Sequence, residues 1–86
     1  MRVETTKKFD KQFKKLSPKT QKAFAERIEL FLSDPNHYLL HTHSLSGNLK
    51  GLWSFNVNAD VRVIFDSSYD EVLILVAIGS HSELYG

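Results

Sequence analysis

The sequence contains no cysteine. This absence excludes a disulfide scaffold, a thiolate zinc site and a cysteine nucleophile. No apolar run approaches the ~20 residues that a membrane-spanning helix needs, and the polar N-terminus does not have the pattern of a signal peptide. Phosphate-binding loops, dinucleotide-binding glycine patterns and nucleophile elbows are also missing. We therefore expect a soluble, cytoplasmic protein that uses no cofactor.

What remains is the composition of a small globular protein. Of the 86 residues, 42% are hydrophobic and 24% are charged, which is ordinary for a folded domain. This length predicts one domain that spans residues 1–86. Because so small a domain buries only about 60–65% of its unfolded surface, its core must be dense. Six Phe, three Tyr and one Trp can supply that density.

Charge is distributed unevenly along the chain. Residues 1–22 contain eight lysines and arginines but only two acidic residues, whereas residues 23–86 contain three basic and eight acidic residues. A lysine-rich first quarter can attract a polyanion such as RNA by releasing its counterions. A lysine-rich helix that merely keeps the protein soluble explains the same pattern equally well.

Apolar spacing in the first half of the chain predicts two helices. Phe9, Phe13 and Leu16 recur at i, i+4 and i+7, which places them on one stripe of a helix. Ser17-Pro18 predicts the start of a second helix, because serine is a favoured N-cap and proline fits the first helical position. Asp34-Pro35-Asn36 ends it. The two helices form a hairpin with almost no loop.

The second half predicts strands. Residues 53–57 and 61–66 alternate between apolar and polar side chains, and Asn58-Ala59-Asp60 predicts a tight hairpin between them. Residues 72–78 are continuously apolar, which indicates a covered or central strand. With a short first strand, the order is β-α-α-β-β-β. We predict an α+β fold of two layers, in which the N-terminal strand and helical hairpin pack on an antiparallel sheet. Its other face lacks a covering helix, and residues 80–86 form a polar tail.

Three polar side chains are candidates for chemistry. Arg62 is expected on the uncovered face with Asp60 and Ile64, where it either binds phosphate or pairs with Asp60. His81 follows the most apolar strand and is either a general acid or base or an exposed tail residue. Tyr85 either stacks on a base or anchors the tail.

Histidines in the connector between the helices and the sheet raise the question of a metal site. His37, His41 and His43 lie close together in sequence, but no cysteine or acidic cluster accompanies them. We therefore predict that no metal is bound.

Four stretches, taken in order, resemble the RelE/ParE superfamily of bacterial type II toxins over essentially the whole chain. They are the helical hairpin with Lys7-Lys8-Phe9 and Phe13-Lys14-Lys15-Leu16, His43-Ser44-Leu45-Ser46-Gly47 before Trp53, Asp60-Val61-Arg62-Val63-Ile64-Phe65, and Ile78-Gly79-Ser80-His81-Ser82-Glu83-Leu84-Tyr85. The last stretch is similar to the ending of the YafQ-like branch and is the most specific. The resemblance implies a RelE-like fold.

The resemblance also implies a ribosome-dependent endonuclease that cuts mRNA codons in the A site of the 30S subunit without a metal. In the implied reaction the ribose 2′-OH attacks the adjacent phosphate, which requires a base, a cation and an acid. By position, His81 and His43 match the acid and base, and Asp60 matches an aspartate that orients or accepts a proton. Arg62 matches an arginine that holds phosphate, and Tyr85 matches an aromatic residue that stacks on or orients the substrate.

RNA binding and partners follow from the same resemblance. The candidate RNA-binding residues are Lys7, Lys8, Lys11, Lys14, Lys15, Lys50 and Arg62. A cognate antitoxin is expected as an acidic or amphipathic segment that wraps the basic helices or displaces the tail. The toxin–antitoxin hetero-oligomer is further expected to bind operator DNA.

One position departs from the YafQ-like pattern. Asn56 stands where that branch often has a histidine, and an asparagine cannot carry a proton at neutral pH. Two alternatives to the nuclease therefore stay open. The ParE branch shares the fold and poisons DNA gyrase, and other members are catalytically silent and bind only their antitoxin.

Overall fold

The computed structural model describes residues 1–85, which form one five-stranded sheet with helices on both faces. The elements in chain order are β1 (Arg2–Thr5), α1 (Lys7–Lys14), α2 (Pro18–Ser33), β2 (His43–Ser44), β3 (Trp53–Asn56), β4 (Val61–Tyr69), β5 (Val72–Ser80) and α3 (His81–Tyr85). Two short 3₁₀ turns cover Tyr38–Leu40 and Gly47–Leu49. The predicted α+β fold is confirmed. Among residues 1–85, no helix combines the length and the apolar character needed to cross a membrane.

Side-chain caps begin both long helices, and the cap of α2 is the predicted one. The side chain of Thr6 accepts a hydrogen bond from the backbone N–H of Phe9 at 3.0 Å, and Ser17 does the same for Thr20 at 3.2 Å. Pro18 occupies the first turn of α2, where its missing N–H costs nothing. The local sequence therefore sets where each helix begins.

The strand order in the sheet is β1-β5-β4-β3-β2. Three neighbouring pairs are antiparallel, but β1 runs parallel to β5. The sheet is therefore mixed, and its fifth strand, the two-residue β2, lies in a segment that the sequence predicted as a connector. The apolar strand β5 lies between β1 and β4, as its composition predicted.

Helix α1 completes the edge of β5 beyond the end of β1. The pairing between β1 and β5 stops at Leu75. Farther along, the Thr6 hydroxyl donates to the carbonyl of Val76 at 2.7 Å, and the side-chain oxygen of Gln12 accepts from the N–H of Ile78 at 2.9 Å. Side chains of the helix thus satisfy backbone groups that a buried strand cannot leave unpaired.

Two groups of three phenylalanines form the aromatic part of the core. Phe31 of α2 packs on Phe55 and Phe65 of the sheet with ring centroids 5.1 and 4.9 Å away. The second group joins the two long helices, with centroid separations of 5.3 to 6.0 Å, and consists of Phe9, Phe13 and Phe24. All six phenylalanines serve the core, as the small size of the domain predicted.

Candidate active site

Strands β3 and β4 each direct polar side chains to the sheet face opposite α2. On β3, Ser54 and Asn56 alternate with Phe55, whose ring lies in the core. Asn56 pairs with Arg62 of β4, and cross-strand partners project to the same side of a sheet. We call this side the polar face, and it includes Ser54, Asn56 and Arg62.

The short strand β2 adds His43 to the polar face. His43 pairs with Ser54, and its side chain therefore projects to the same side of the sheet. Its Nδ1 lies 2.8 Å from the backbone carbonyl oxygen of His41. Because a carbonyl can only accept, this nitrogen must carry the proton, and in the neutral ring Nε2 is then the acceptor. His43 is thus set up to take a proton.

The loop between β3 and β4 holds the predicted aspartate. The side-chain oxygen of Asn58 accepts hydrogen bonds from the N–H groups of Asp60 and Val61 at 2.9 and 2.7 Å. The guanidinium of Arg62 donates to the carbonyls of Asn58 and Ala59 at 2.9 and 3.1 Å. Side chains at both ends of the loop therefore fix its shape.

Arg62 consequently holds the loop between β3 and β4, a structural role that the sequence did not indicate. Its hydrogen bonds go to loop carbonyls, and within residues 1–85 the structure shows no ion pair between Arg62 and Asp60. The guanidinium has five N–H donors, so these bonds leave donors for a phosphate. The predicted role of Arg62 in phosphate binding stays a prediction.

Residues 81–85 form a helix rather than the predicted polar tail, whose last residue, 86, lies outside the described residues. Helix α3 begins at His81, whose backbone N–H donates to the carbonyl of Asp60 at 3.1 Å. One turn later the Tyr85 hydroxyl donates to Ser54 at 3.1 Å, and the two rings of His81 and Tyr85 lie 4.7 Å apart. Helix α3 therefore joins the hairpin loop to the polar face.

This helix also corrects the expectation of an uncovered sheet face. Ile64, which was expected to be exposed beside Arg62, is only 3% exposed. It pairs with Ser54, whose hydroxyl accepts the hydrogen bond from Tyr85. Part of the face is thus covered by α3, because Ser54 gives the tyrosine hydroxyl a buried partner.

Asn56 lies at the edge of a small polar cavity of about 180 Å³. Arg27, His41 and Asn58 also line it. The Oδ1 atom of Asn56 is buried, and within the described residues it has no hydrogen-bond partner. A buried acceptor without a partner is costly, which sets this position apart from the rest of the strand.

The predicted RNA-binding lysines divide into two groups. Those of the first helix and its C-cap are exposed, and they are Lys7, Lys8, Lys11, Lys14 and Lys15. The charge of Lys15 helps to lower the pKa of Glu83 in α3, after the larger effect of hydrogen bonds from Ser80. Lys50 is exposed in the segment between β2 and β3.

Together, these contacts relate all five predicted catalytic residues. His81 and Arg62 each donate to a backbone carbonyl of the loop that holds Asp60, and Tyr85 and His43 each lie next to Ser54. The sequence did not indicate Ser54, Asn58 or Glu83. Ser80-His81-Ser82-Glu83 is a capping signature and could have revealed both the helix and Glu83. Within residues 1–85, no group of three or more His, Asp or Glu side chains is arranged to hold a metal ion.

Comparisons with known proteins place the whole chain in one group. The family model described as "Bacterial toxin of type II toxin-antitoxin system, YafQ" matches residues 1–86. No curated protein matches the chain.

Solved structures agree in fold. The crystal structure of YafQ from E. coli strain BL21(DE3) has a TM-score of 0.83 at 21% identity over all of both chains. YafQ in the E. coli DinJ-YafQ complex has a TM-score of 0.74 at 21% identity, again over all of both chains. A metal-bound toxin from Helicobacter pylori is 30% identical over 98% of both chains, with a TM-score of 0.73.

Proposed function

The chain belongs to the YafQ family of bacterial toxins of type II toxin–antitoxin systems, and we propose that it is a ribosome-dependent endonuclease that cleaves mRNA. The single observation that carries this proposal is that His81 and Arg62 both donate to backbone carbonyls of the loop that holds Asp60, while Arg62 and His43 lie on the same face of the sheet. Proton carriers and a cation are the groups that cleavage of RNA by its own 2′-OH requires.

The proposed reaction needs four changes at one phosphate. A base removes the proton of the ribose 2′-OH, and the 2′-oxygen forms a bond to phosphorus. The bond from phosphorus to the 5′-oxygen of the next nucleotide breaks, and an acid gives that oxygen a proton. The products are a 2′,3′-cyclic phosphate and a 5′-OH. No group of the protein becomes covalently attached.

The geometry favours particular roles for the two histidines. His43 holds its proton on Nδ1 against the His41 carbonyl, so Nε2 is the atom that accepts the 2′-OH proton. His81 is exposed at the start of α3 and supplies the proton to the leaving oxygen. Arg62 stabilises the phosphoryl charge with the donors that the loop does not use, and Asp60 orients His81.

Tyr85 and the lysines then serve binding. The Tyr85 ring lies beside the imidazole of His81 and offers a face on which a base can stack. The exposed lysines of α1 provide the attraction for ribosomal RNA and mRNA, which should weaken steeply as salt rises.

We further propose that a cognate antitoxin binds the side of the molecule away from the polar face. A cleft of about 420 Å³ lies between the two long helices and the sheet, with an apolar lining that includes Phe13, Phe24, Ile28 and Leu32. The lysines of α1 are exposed on one of the two helices that form the cleft. An amphipathic segment whose apolar side chains enter the cleft and whose acidic side chains meet these lysines complements both features.

The proposed function is tested by primer extension on a reporter mRNA in a translating extract. The purified toxin should produce cuts inside codons, and the cuts should disappear when ribosomes are omitted. A single 2′-deoxyribose placed at a mapped cut should abolish that cut alone. An intact message would contradict the proposal, and inhibition of DNA supercoiling by the same preparation would then identify a gyrase poison.

A further inference from the structure

Helix α3 begins with a reciprocal pair of hydrogen bonds between Ser80 and Glu83. The Ser80 hydroxyl accepts from the backbone N–H of Glu83 at 3.2 Å, and Glu83 Oε1 accepts from the backbone N–H of Ser80 at 2.8 Å. This arrangement is a capping box, in which each side chain satisfies a backbone donor of the other residue. Hydrogen bonds from the backbone and then the side chain of Ser80 lower the pKa of the Glu83 carboxyl.

The capping box fixes the point at which the chain leaves the sheet. Ser80 is the last residue of β5, and His81 is the first residue of α3. The turn between them therefore decides where the His81 ring lies relative to Asp60, whose carbonyl accepts from the His81 N–H. Tyr85, one turn farther along, is placed by the same helix.

A helix of five residues depends strongly on such a cap. Helices this short are unstable by themselves, because few backbone bonds offset the cost of the first turn. Strand β5 also leaves space for the Glu83 side chain. Gly79 is buried, and a Cβ added there would lie 3.2 Å from Glu83 Oε1, so glycine leaves the room that the carboxylate occupies.

We propose that Glu83 is a positioning residue for RNA cleavage. Its carboxylate holds the start of α3 through Ser80 and thereby keeps His81 and Tyr85 in place, without itself touching the RNA. This inference rests on the proposed nuclease function. Loss of the box should reduce the catalytic rate, since a displacement of about 1 Å in a reacting group can cost about 10²-fold.

The test compares Glu83→Ala with Glu83→Gln, because glutamine also forms a capping box. In a translating extract with saturating toxin, Glu83→Ala should cut the reporter mRNA at least about tenfold more slowly. Glu83→Gln should keep a rate within about threefold of the original protein. Glu26→Ala, which removes an exposed carboxylate of α2, is the matched control and should have no effect.

Amide hydrogen exchange gives a readout that does not depend on cleavage. The amides of residues 83–85 should exchange faster in Glu83→Ala and remain protected in Glu83→Gln. Full cleavage activity of Glu83→Ala would overturn the inference. An equal loss of cleavage activity in both variants would also overturn it, because the negative charge of Glu83, rather than the capping box, would then be what cleavage requires. If the unaltered protein does not cut mRNA, the proposed function fails, and unchanged exchange in Glu83→Ala would separately show that the box does not hold α3.

Discussion

The two faces of the central sheet are built from the same strands and do different work. Toward α2, the side chains of β3 and β4 are apolar, and Phe55 is completely buried against Phe31. Toward α3, the same strands carry Ser54, Asn56 and Arg62. Because side chains alternate along a strand, one stretch of sequence can supply a stabilising core on one side and a polar site on the other. Substitutions on the two faces should therefore separate stability from activity.

The largest expected effect is on the apolar face. Phe55→Ala should lower the free energy of unfolding by about 3–5 kcal/mol, because it removes a buried ring and leaves a cavity. Urea denaturation measures this change. Tyr69→Ala, on the same sheet but at a ring that is 58% exposed, is the control and should cost much less. A loss below about 1 kcal/mol for Phe55→Ala would show that the apolar face does not dominate stability.

A smaller effect, on the cleavage rate, is expected from a substitution of Asn56. This residue lies on the polar face, at the position where YafQ-like toxins often have a histidine. Asn56→His should raise the rate of mRNA cleavage by roughly tenfold, less than the ~10²–10⁴-fold that a fully positioned acid or base contributes. The imidazole adds a proton carrier beside Arg62. Primer extension over a time course measures the rate, and an unchanged or lower rate would show that this position takes no part in proton transfer.

The smallest expected effect lies on β4, away from the proposed chemistry. The Ser68 hydroxyl and then its backbone N–H donate to Asp66, and these bonds hold the pKa of that carboxyl below its ordinary value. Because the pKa is depressed in the folded state, the stabilisation is present above the unfolded pKa of about 3.9 and is lost as pH falls through the folded value.

Asp66→Asn should therefore change the free energy of unfolding by no more than about 0.5 kcal/mol at pH 7. The difference from the unaltered protein should narrow as the pH falls below about 4, and denaturation at several pH values measures it. If the unaltered protein instead became more stable relative to Asp66→Asn as the pH fell, the folded pKa of Asp66 would be raised.

The fold was largely predictable because its signals are local. The phenylalanine stripe, the Ser17-Pro18 cap and the alternation along β3 and β4 each depend on neighbours in sequence, and each appears in the structure as predicted. The parallel pairing of β1 with β5 was not predictable in this way, since it joins residues about 70 positions apart. A two-residue strand such as β2 is too short to show alternation.

The resemblance named the candidate residues, whose roles stay predictions, but it did not give their arrangement. The resemblance indicated His43, Asp60, Arg62, His81 and Tyr85. The resemblance could not give the hydrogen bonds that these residues make, such as those from Arg62 to the loop carbonyls or the one from Tyr85 to Ser54. Helix α3 was missed because its five residues are too few for a periodic pattern, although the capping signature at Ser80 was visible.

The central claim is that the polar face carries the chemistry, and His81→Ala tests it most directly. The measurement is the rate of reporter mRNA cleavage in a translating extract, with His37→Asn as a control that keeps the cap on the turn after α2. The account predicts a loss of about 10²–10⁴-fold for His81→Ala, an unchanged rate for His37→Asn, and an unfolding free energy within about 0.5 kcal/mol of the original. Cleavage by a folded His81→Ala protein at the original rate would contradict the account.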